Sequence, residues 1–243
     1  MGSILLMVIV VFIAAIVQST SGFGFGIVCT AILPMVMPYK QAVPLILLTC
    51  MFLQVVVMVR LWKHISWKLL ILPAIGSIIC SSISVNFMLG LSDRTLHLIL
   101  GIFLWVLALY MIFLAPKVKL KGDNPWIGLV AGSLSGFMSG MFTIGGPPMV
   151  AYFDAIVDDS LTYQSTLQVY FFLTCSSTLV NNILHGNFTS SLVLPACFTI
   201  VSCLVGTLVG MKILHKISMS MVRRLAYLMM MVAGTYNLIQ LFF

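Results

Sequence analysis

Charged residues are scarce in this chain of 243 residues, and their scarcity decides its class. Only 7% of the residues are charged while 61% are hydrophobic, and the mean hydropathy is +1.18. A soluble domain carries roughly 25% charged residues, so this chain lacks the polar surface that a water-soluble fold needs. The longest polar connection, PKVKLKGDNPW at 116–126, is too short to be a catalytic domain. The composition predicts a polytopic integral membrane protein.

Motifs for catalysis and metal binding are also missing. No apolar segment contains paired carboxylates or a histidine cluster, and none of the six cysteines belongs to a CxxC pair. The cysteines all fall within apolar segments, where we interpret them as small buried packing residues. No soluble βαβ unit surrounds the glycines, which excludes a dinucleotide site. We therefore predict no enzyme activity, no cofactor and no metal.

The net charge of +7 has a membrane explanation. The twelve Lys and Arg residues lie in short connections between apolar runs, where basic residues orient helices in a bilayer. The predicted partner of these charges is the lipid bilayer, and no nucleic-acid partner is predicted.

What the chain does contain is eight apolar segments, and a spanning helix needs about 20 such residues. The segments are 3–37, 42–59, 69–91, 95–115, 126–157, 161–184, 191–211 and 225–243. The first and the fifth exceed 30 residues and are interrupted by STSGFGFG and SGFMSGMFTIGGPP. Glycine costs about 1 kcal/mol and proline about 3 kcal/mol within a helix, and backbone freed in a membrane must still be hydrogen-bonded. Each long segment is predicted to be two helical pieces around a break that is buried or lines a cavity.

The two abnormal segments each open a set of four, which predicts an internal duplication. Leu48-Thr49-Cys50 matches Leu173-Thr174-Cys175, Pro73 matches Pro195, and Tyr110 matches Tyr236, all in order. The predicted organisation is a first repeat at 1–115, a basic linker at 116–125 and a second repeat at 126–243, within one membrane domain.

The loop charges predict that the two halves are inverted. If all eight segments cross once, the basic residues divide six against six, which breaks the positive-inside rule. If the fifth segment enters and returns on the same side, the division becomes ten against two, with only Lys40 and Arg94 outside. The basic loop then joins segments 2 and 3 in the first half but segments 7 and 8 in the second, which is typical of an inverted repeat. We predict six spans and two re-entrant broken segments; eight plain spans are the alternative.

The glycine motifs resemble those of a known family. SGFGFG at 21–26, and Ser135-Gly136, Ser139-Gly140 and Gly145-Gly146 in the second half, resemble the glycine-rich elements of the TauE/SafE sulfite exporter family of permeases, also called the toluene sulfonate uptake permease family. The resemblance covers the whole chain. It implies transport of small sulfur-containing or organic anions.

The chemistry of the breaks itself predicts an anion site. The first residues of a helix expose N–H groups and carry about half a positive charge, so two such ends can hold an anion without a buried Lys or Arg. Hydroxyls add donors, and glycines let the ligand approach the backbone. The predicted substrate-binding residues are Ser19, Thr20, Ser21, Gly22, Gly24, Gly26, Ser135, Gly136, Ser139, Gly140, Thr143, Gly145 and Gly146. Close helix packing through small residues is the alternative; a potassium-type carbonyl filter fits less well, because the second break reads IGGPP.

Polar residues elsewhere in the spans are candidates for the pathway. Thr174, Thr178 and Asn181 share one helix face, and Gln54 is an isolated amide among apolar residues. We predict that all four line the path, with back-bonding or helix association as the alternatives. Asp154 is the candidate proton-coupling carboxylate, against an ordinary solvated loop.

Together these features predict a permease of the bacterial inner-membrane type that moves a small anion by alternating access around the two breaks. The anion would be sulfite, a sulfonate or a related oxyanion, with a proton or sodium as a possible coupling ion. A passive anion pore of the same architecture, and a non-transporting membrane subunit, are the alternatives.

Overall fold

Helices make up most of the described part of the chain and are joined by short turns and loops. The computed structural model describes residues 2–114, 124–213 and 219–239, and within these ranges there is no strand. The α-helices of these ranges are α1 Gly2–Ser21, α2 Phe25–Ile32, α3 Tyr39–Leu61, α4 Trp67–Leu89, α5 Asp93–Leu109, α6 Pro125–Phe142, α7 Gly146–Ile156, α8 Ser160–Leu184, α9 Val193–Ile213 and α10 Met219–Ile239. The predicted all-α class is confirmed. Most of the basic linker predicted at 116–125 lies outside the described residues.

Among the described residues, four stretches are long and apolar enough to cross a bilayer. They are Tyr39–His64, Trp67–Leu89, Asp93–Phe113 and Ser190–Lys212, each with 21 to 26 residues. At a rise of about 1.5 Å per residue, such helices match the roughly 30 Å hydrocarbon core. The protein is an integral membrane protein with several spanning helices, as the composition predicts.

Helix α4 illustrates how the chain distributes polar and apolar residues for a membrane. Ile71, Ile75, Ile79 and Ile83 lie on its outer face and are about half exposed, whereas the hydroxyls of its inner face, such as Ser77, are buried. The pattern is the reverse of a soluble helix, because lipid solvates isoleucine while serine needs a protein partner.

Small residues bring α6 onto α4. An ideal Cβ built on Gly132 would lie 2.2 Å from the carbonyl oxygen of Pro73, and one on Gly136 would lie 2.3 Å from that of Ser77. Gly140 repeats the contact one turn later against Ser81. Because glycines recur every fourth residue along this face, the two backbones can touch, as in other membrane helix pairs.

A matching contact joins α1 to α9. An added Cβ on Gly206 would lie 2.7 Å from the carbonyl oxygen of Phe12, and one on Gly210 would meet the Ser19 hydroxyl and Ile16. Helices α3 and α8 pack together between these pairs, and α5 packs on α10. The short helices α2 and α7 therefore lie inside a frame of longer ones, with Phe25, Val28, Phe153 and Met149 fully buried.

Candidate anion-binding site at the two helix breaks

The first break lies between α1 and α2 and depends on glycine. Gly22 and Gly24 have φ angles of 80° and 114°, a region that other residues rarely adopt. The Gln18 side chain satisfies both sides of the break: its Oε1 accepts from the Phe25 N–H at 3.0 Å, and its Nε2 donates to the Gly22 carbonyl at 3.3 Å. Gln168 of α8 donates to the same carbonyl at 3.1 Å. The backbone freed by the break is thus hydrogen-bonded by buried amides, as a membrane interior requires.

The second break lies between α6 and α7. Thr143, with a φ of 58°, is the one non-glycine residue of positive φ in the described parts of the chain. Its N–H still donates to the Ser139 carbonyl at 2.8 Å, which closes the last turn of α6. The Ser135 hydroxyl donates to the Gly145 carbonyl across the break. Helix α7 then starts at Gly146 with Pro147 in its first turn, where a missing N–H costs little.

The two breaks touch each other. The Thr30 hydroxyl of α2 donates to the Phe142 carbonyl at 2.9 Å and also hydrogen-bonds the Thr143 hydroxyl. A Cβ on Gly26 would lie only 2.0 Å from the Thr143 carbonyl oxygen, so the contact requires glycine there. Residues more than 110 positions apart in the sequence form one buried center.

A cavity of about 40 Å³ lies at this contact. Because a water molecule needs about 10–15 Å³ by the same measure, the space accommodates roughly three waters. Among the described residues, those that line it include no charged side chain. The lining consists of Gln18, Phe23, Gly24, Gly26, Ile27, Cys50, Gln54, Ser139, Thr143, Ile144, Gly145, Gly146, Phe171 and Cys175.

Both short helices begin at this cavity. Gly24 precedes the first residue of α2 and Gly145 precedes that of α7, and both glycines line the space. Each N-terminus contributes a partial positive charge. The described lining is therefore neutral in formal charge but positive in its backbone dipoles, an environment that favours a small anion.

About half of the predicted binding residues lie at the cavity. Those that line it are Gly24, Gly26, Ser139, Thr143, Gly145 and Gly146, and the predicted pathway residue Gln54 lines it as well. Gln54 belongs to α3, and the others belong to the two glycine-rich stretches at 19–26 and 135–148.

The other predicted residues lie near the breaks but outside the lining. Ser19 and Thr20 donate to carbonyls of the preceding turn of α1, and Gly22 forms the first break. Gly136 and Gly140 pack against α4. Ser135 closes the second break, and the Ser21 side chain lies outside the described part of the structure.

The three polar residues predicted on α8, Thr174, Thr178 and Asn181, do not line the cavity. Thr174 and Thr178 each donate to the carbonyl four residues earlier, and Thr174 also hydrogen-bonds Ser77 of α4 at 2.6 Å. Asn181 donates to the Ser82 hydroxyl at 3.0 Å. Asp154 is exposed near the end of α7. Its proton-coupling role and the pathway role of the α8 residues stay predictions.

Sequence reasoning missed several residues of the lining. The polar residues that it missed are Gln18, Cys50 and Cys175. The apolar ones are Phe23, Ile27, Ile144 and Phe171. A signal was present for two of them, since Cys50 and Cys175 end the matching LTC triplets.

Comparison with known proteins identifies the family of the chain. The family described as "Sulfite exporter TauE/SafE" matches residues 7–237. The chain belongs to this family. The predicted resemblance is confirmed, and family membership makes the protein a membrane transporter rather than an enzyme.

A curated relative is similar over most of both chains. It is the "Probable sulfite/organosulfonate exporter TauE" of Cupriavidus necator, 21% identical over 216 residues, which are 86% of this chain and 84% of the relative. No solved structure is a significant match to this TauE/SafE family member.

Proposed function

We propose that this transporter exports sulfite, by alternating access around the two helix breaks. The observation that carries the proposal is the cavity at which α2 and α7 both begin. Two helix N-termini supply positive potential for an anion, and the described lining has no fixed charge that would hold it too tightly for release. The family description and the relative's name supply the sulfur chemistry.

The size of the cavity favours sulfite over larger sulfonates. Room for about three waters is close to the volume of a four-atom oxyanion. An aryl sulfonate would have to displace Phe23 or Phe171 from the wall. We therefore propose sulfite as the main substrate and expect organosulfonates to bind more weakly.

We also propose that the chain is a duplicated, inverted pair of repeats, α1–α5 and α6–α10. The first helix of each half packs on the fourth helix of the other half, α6 on α4 and α1 on α9, while α3 pairs with α8 and α5 with α10. A two-fold relation between the halves would produce this exchange.

Two hydrogen bonds support the repeat at the level of single residues. Ser77 lies four residues after Pro73, and Thr199 lies four residues after the matching Pro195. Ser77 hydrogen-bonds Thr174 at 2.6 Å, and Thr199 hydrogen-bonds Thr49, the counterpart of Thr174, at 3.0 Å. The same contact occurs twice with the halves exchanged.

Reconstituted liposomes test the transport proposal. We expect saturable sulfite flux, and counterflow when liposomes loaded with unlabelled sulfite are diluted into labelled sulfite. A panel of sulfite, thiosulfate, sulfoacetate, acetate and chloride gives the order of preference, with protein-free liposomes as the control. Flux that never saturates and shows no counterflow would indicate a pore. Saturable flux of acetate or chloride without sulfite would refute sulfite as the substrate.

A further inference from the structure

Three side chains at the cavity form a cluster that the breaks do not explain. Gln54 of α3 is 1% exposed, and its Nε2 lies 3.2 Å from the Cys50 Sγ and 3.5 Å from the Cys175 Sγ. Cys50 belongs to α3 and Cys175 to α8. All three residues line the cavity, and the Gln54 Oε1 has no hydrogen-bond partner among the described residues.

An unpartnered carbonyl oxygen beside an anion cavity is unfavourable. A buried acceptor without a donor costs about 1–3 kcal/mol, and its negative end would repel the substrate proposed above. A half-turn of the carboxamide exchanges oxygen and nitrogen at almost no cost in shape. The oxygen then accepts from the Cys50 and Cys175 thiols, and the two N–H donors are released from the sulfurs.

The choice of cysteine fits this arrangement. Hydroxyls on the same helices bond back to their own backbone: Thr49 donates to Leu45, and Thr174 to Tyr170. A thiol is a weaker donor, so it competes less for the carbonyl of the preceding turn. Cys50 and Cys175 therefore keep their S–H groups available for the Gln54 carboxamide.

We infer that Gln54 is an anion-selecting donor of the cavity and that Cys50 and Cys175 are positioning residues that hold its carboxamide with the N–H groups toward the anion. The ligand class is a small oxyanion. The inference rests on the proposed anion transport and adds to it a side chain outside the breaks. The Gln54 N–H groups would give the cavity wall formed by α3 and α8 a partial positive charge, like that of the two helix N-termini.

The test is sulfite binding to purified protein by calorimetry, with the melting temperature measured on each sample. Gln54→Met keeps the size and removes both donors, so sulfite affinity should fall about 10-fold or more. Gln54→Glu replaces the donors by a negative acceptor, so its affinity should fall further than that of Gln54→Met.

The cysteine variants test positioning separately. Cys50→Ala and Cys175→Ala should each raise the half-saturation concentration of sulfite exchange about 3- to 10-fold and leave the maximal rate unchanged. Cys203→Ala is the matched control, because Cys203 is buried but does not line the cavity. A merely structural role would instead lower the melting temperature and the maximal rate.

Each experimental outcome tests a different part of the inference. Wild-type sulfite affinity in a folded Gln54→Met protein overturns the donor role while leaving sulfite export intact. Unchanged half-saturation in both cysteine variants overturns the positioning role alone. If the wild-type protein binds another anion of the panel instead of sulfite, the substrate proposal fails and the variants are compared with that anion. If it binds none, both proposals fail.

Discussion

Thr30 reaches from α2 to the end of α6, where its hydroxyl donates to the Phe142 carbonyl at 2.9 Å. This bond and the adjoining one to Thr143 join the two breaks. Thr30→Val keeps the shape and removes both bonds, leaving the Phe142 carbonyl without this donor. We expect a loss of about 1–3 kcal/mol in stability, measured as a lower melting temperature in detergent. Thr189→Val is the control and should melt like the wild type, because Thr189 lies in a partly exposed loop and its hydroxyl bonds the exposed Ser191 rather than a buried carbonyl.

Gly26 is a position in the first break that tolerates no side chain. In Gly26→Ala the new Cβ would meet the Thr143 carbonyl oxygen at 2.0 Å, and that atom is backbone. We expect loss of sulfite exchange together with a clearly lower melting temperature. Gly90→Ala is the matched control, since its Cβ would meet its nearest neighbour at an ordinary 3.5 Å. Normal transport by Gly26→Ala would contradict the contact between the breaks.

Ser135 and Ser139 lie one turn apart on α6, and of the two only Ser139 lines the cavity. Ser139 lines the cavity, so Ser139→Ala should weaken sulfite binding about 5- to 150-fold with little change in stability. Ser135 donates to the Gly145 carbonyl, so Ser135→Ala should lower the melting temperature first. Calorimetry and thermal unfolding on the same two variants separate these effects. Equal behaviour of the two variants would argue against a specific role for Ser139.

Gly136 tests the packing of α6 on α4. The alanine variant would place its Cβ 2.3 Å from the Ser77 carbonyl oxygen and force the helices apart. Overpacking of this kind typically costs 1–3 kcal/mol or more, so we expect a lower melting temperature and lower yield. Sulfite affinity of the fraction that folds should stay near the wild-type value, because Gly136 does not line the cavity. A selective loss of affinity would assign Gly136 to the site instead.

The last prediction concerns the side of the membrane on which the basic connections lie. The count of ten basic residues against two requires residues 117–121 and 212–224 to lie on the same, cytoplasmic side. Single cysteines at 119 and 216 in a cysteine-free background, labelled with an impermeant reagent in oriented vesicles, check this. Labelling from opposite faces would refute the inverted repeat.

The sequence is most informative where structure depends on local chemistry. Glycine, proline and hydroxyl residues cluster at 19–26 and 135–148, and helices do end at Ser21 and Phe142 within those stretches. Gly24, Gly26, Thr143 and Gly145 line the cavity for the same reason, since a break brings its own residues to its center.

Which neighbour each helix face contacts depends on tertiary packing and does not follow from the sequence pattern. Thr174 and Cys175 are neighbours on α8, about 100° apart around the helix, and only the cysteine lines the cavity while the threonine contacts Ser77. Helical periodicity groups residues on a face but does not say which neighbour that face meets. Gln18 escapes prediction similarly, because its role is to bond Phe25, seven residues ahead, across a break whose path the sequence does not specify.

The Gly22 carbonyl receives two amide donors, from Gln18 at 3.3 Å and from Gln168 at 3.1 Å. A carbonyl oxygen has two lone pairs, so both are engaged. Unwound carbonyls at broken membrane helices are the usual ligands of sodium, but sodium would have to displace both glutamine amides to bind this one. The first break therefore offers no vacant cation ligand at Gly22, and any coupling to sodium requires oxygen atoms elsewhere in the protein.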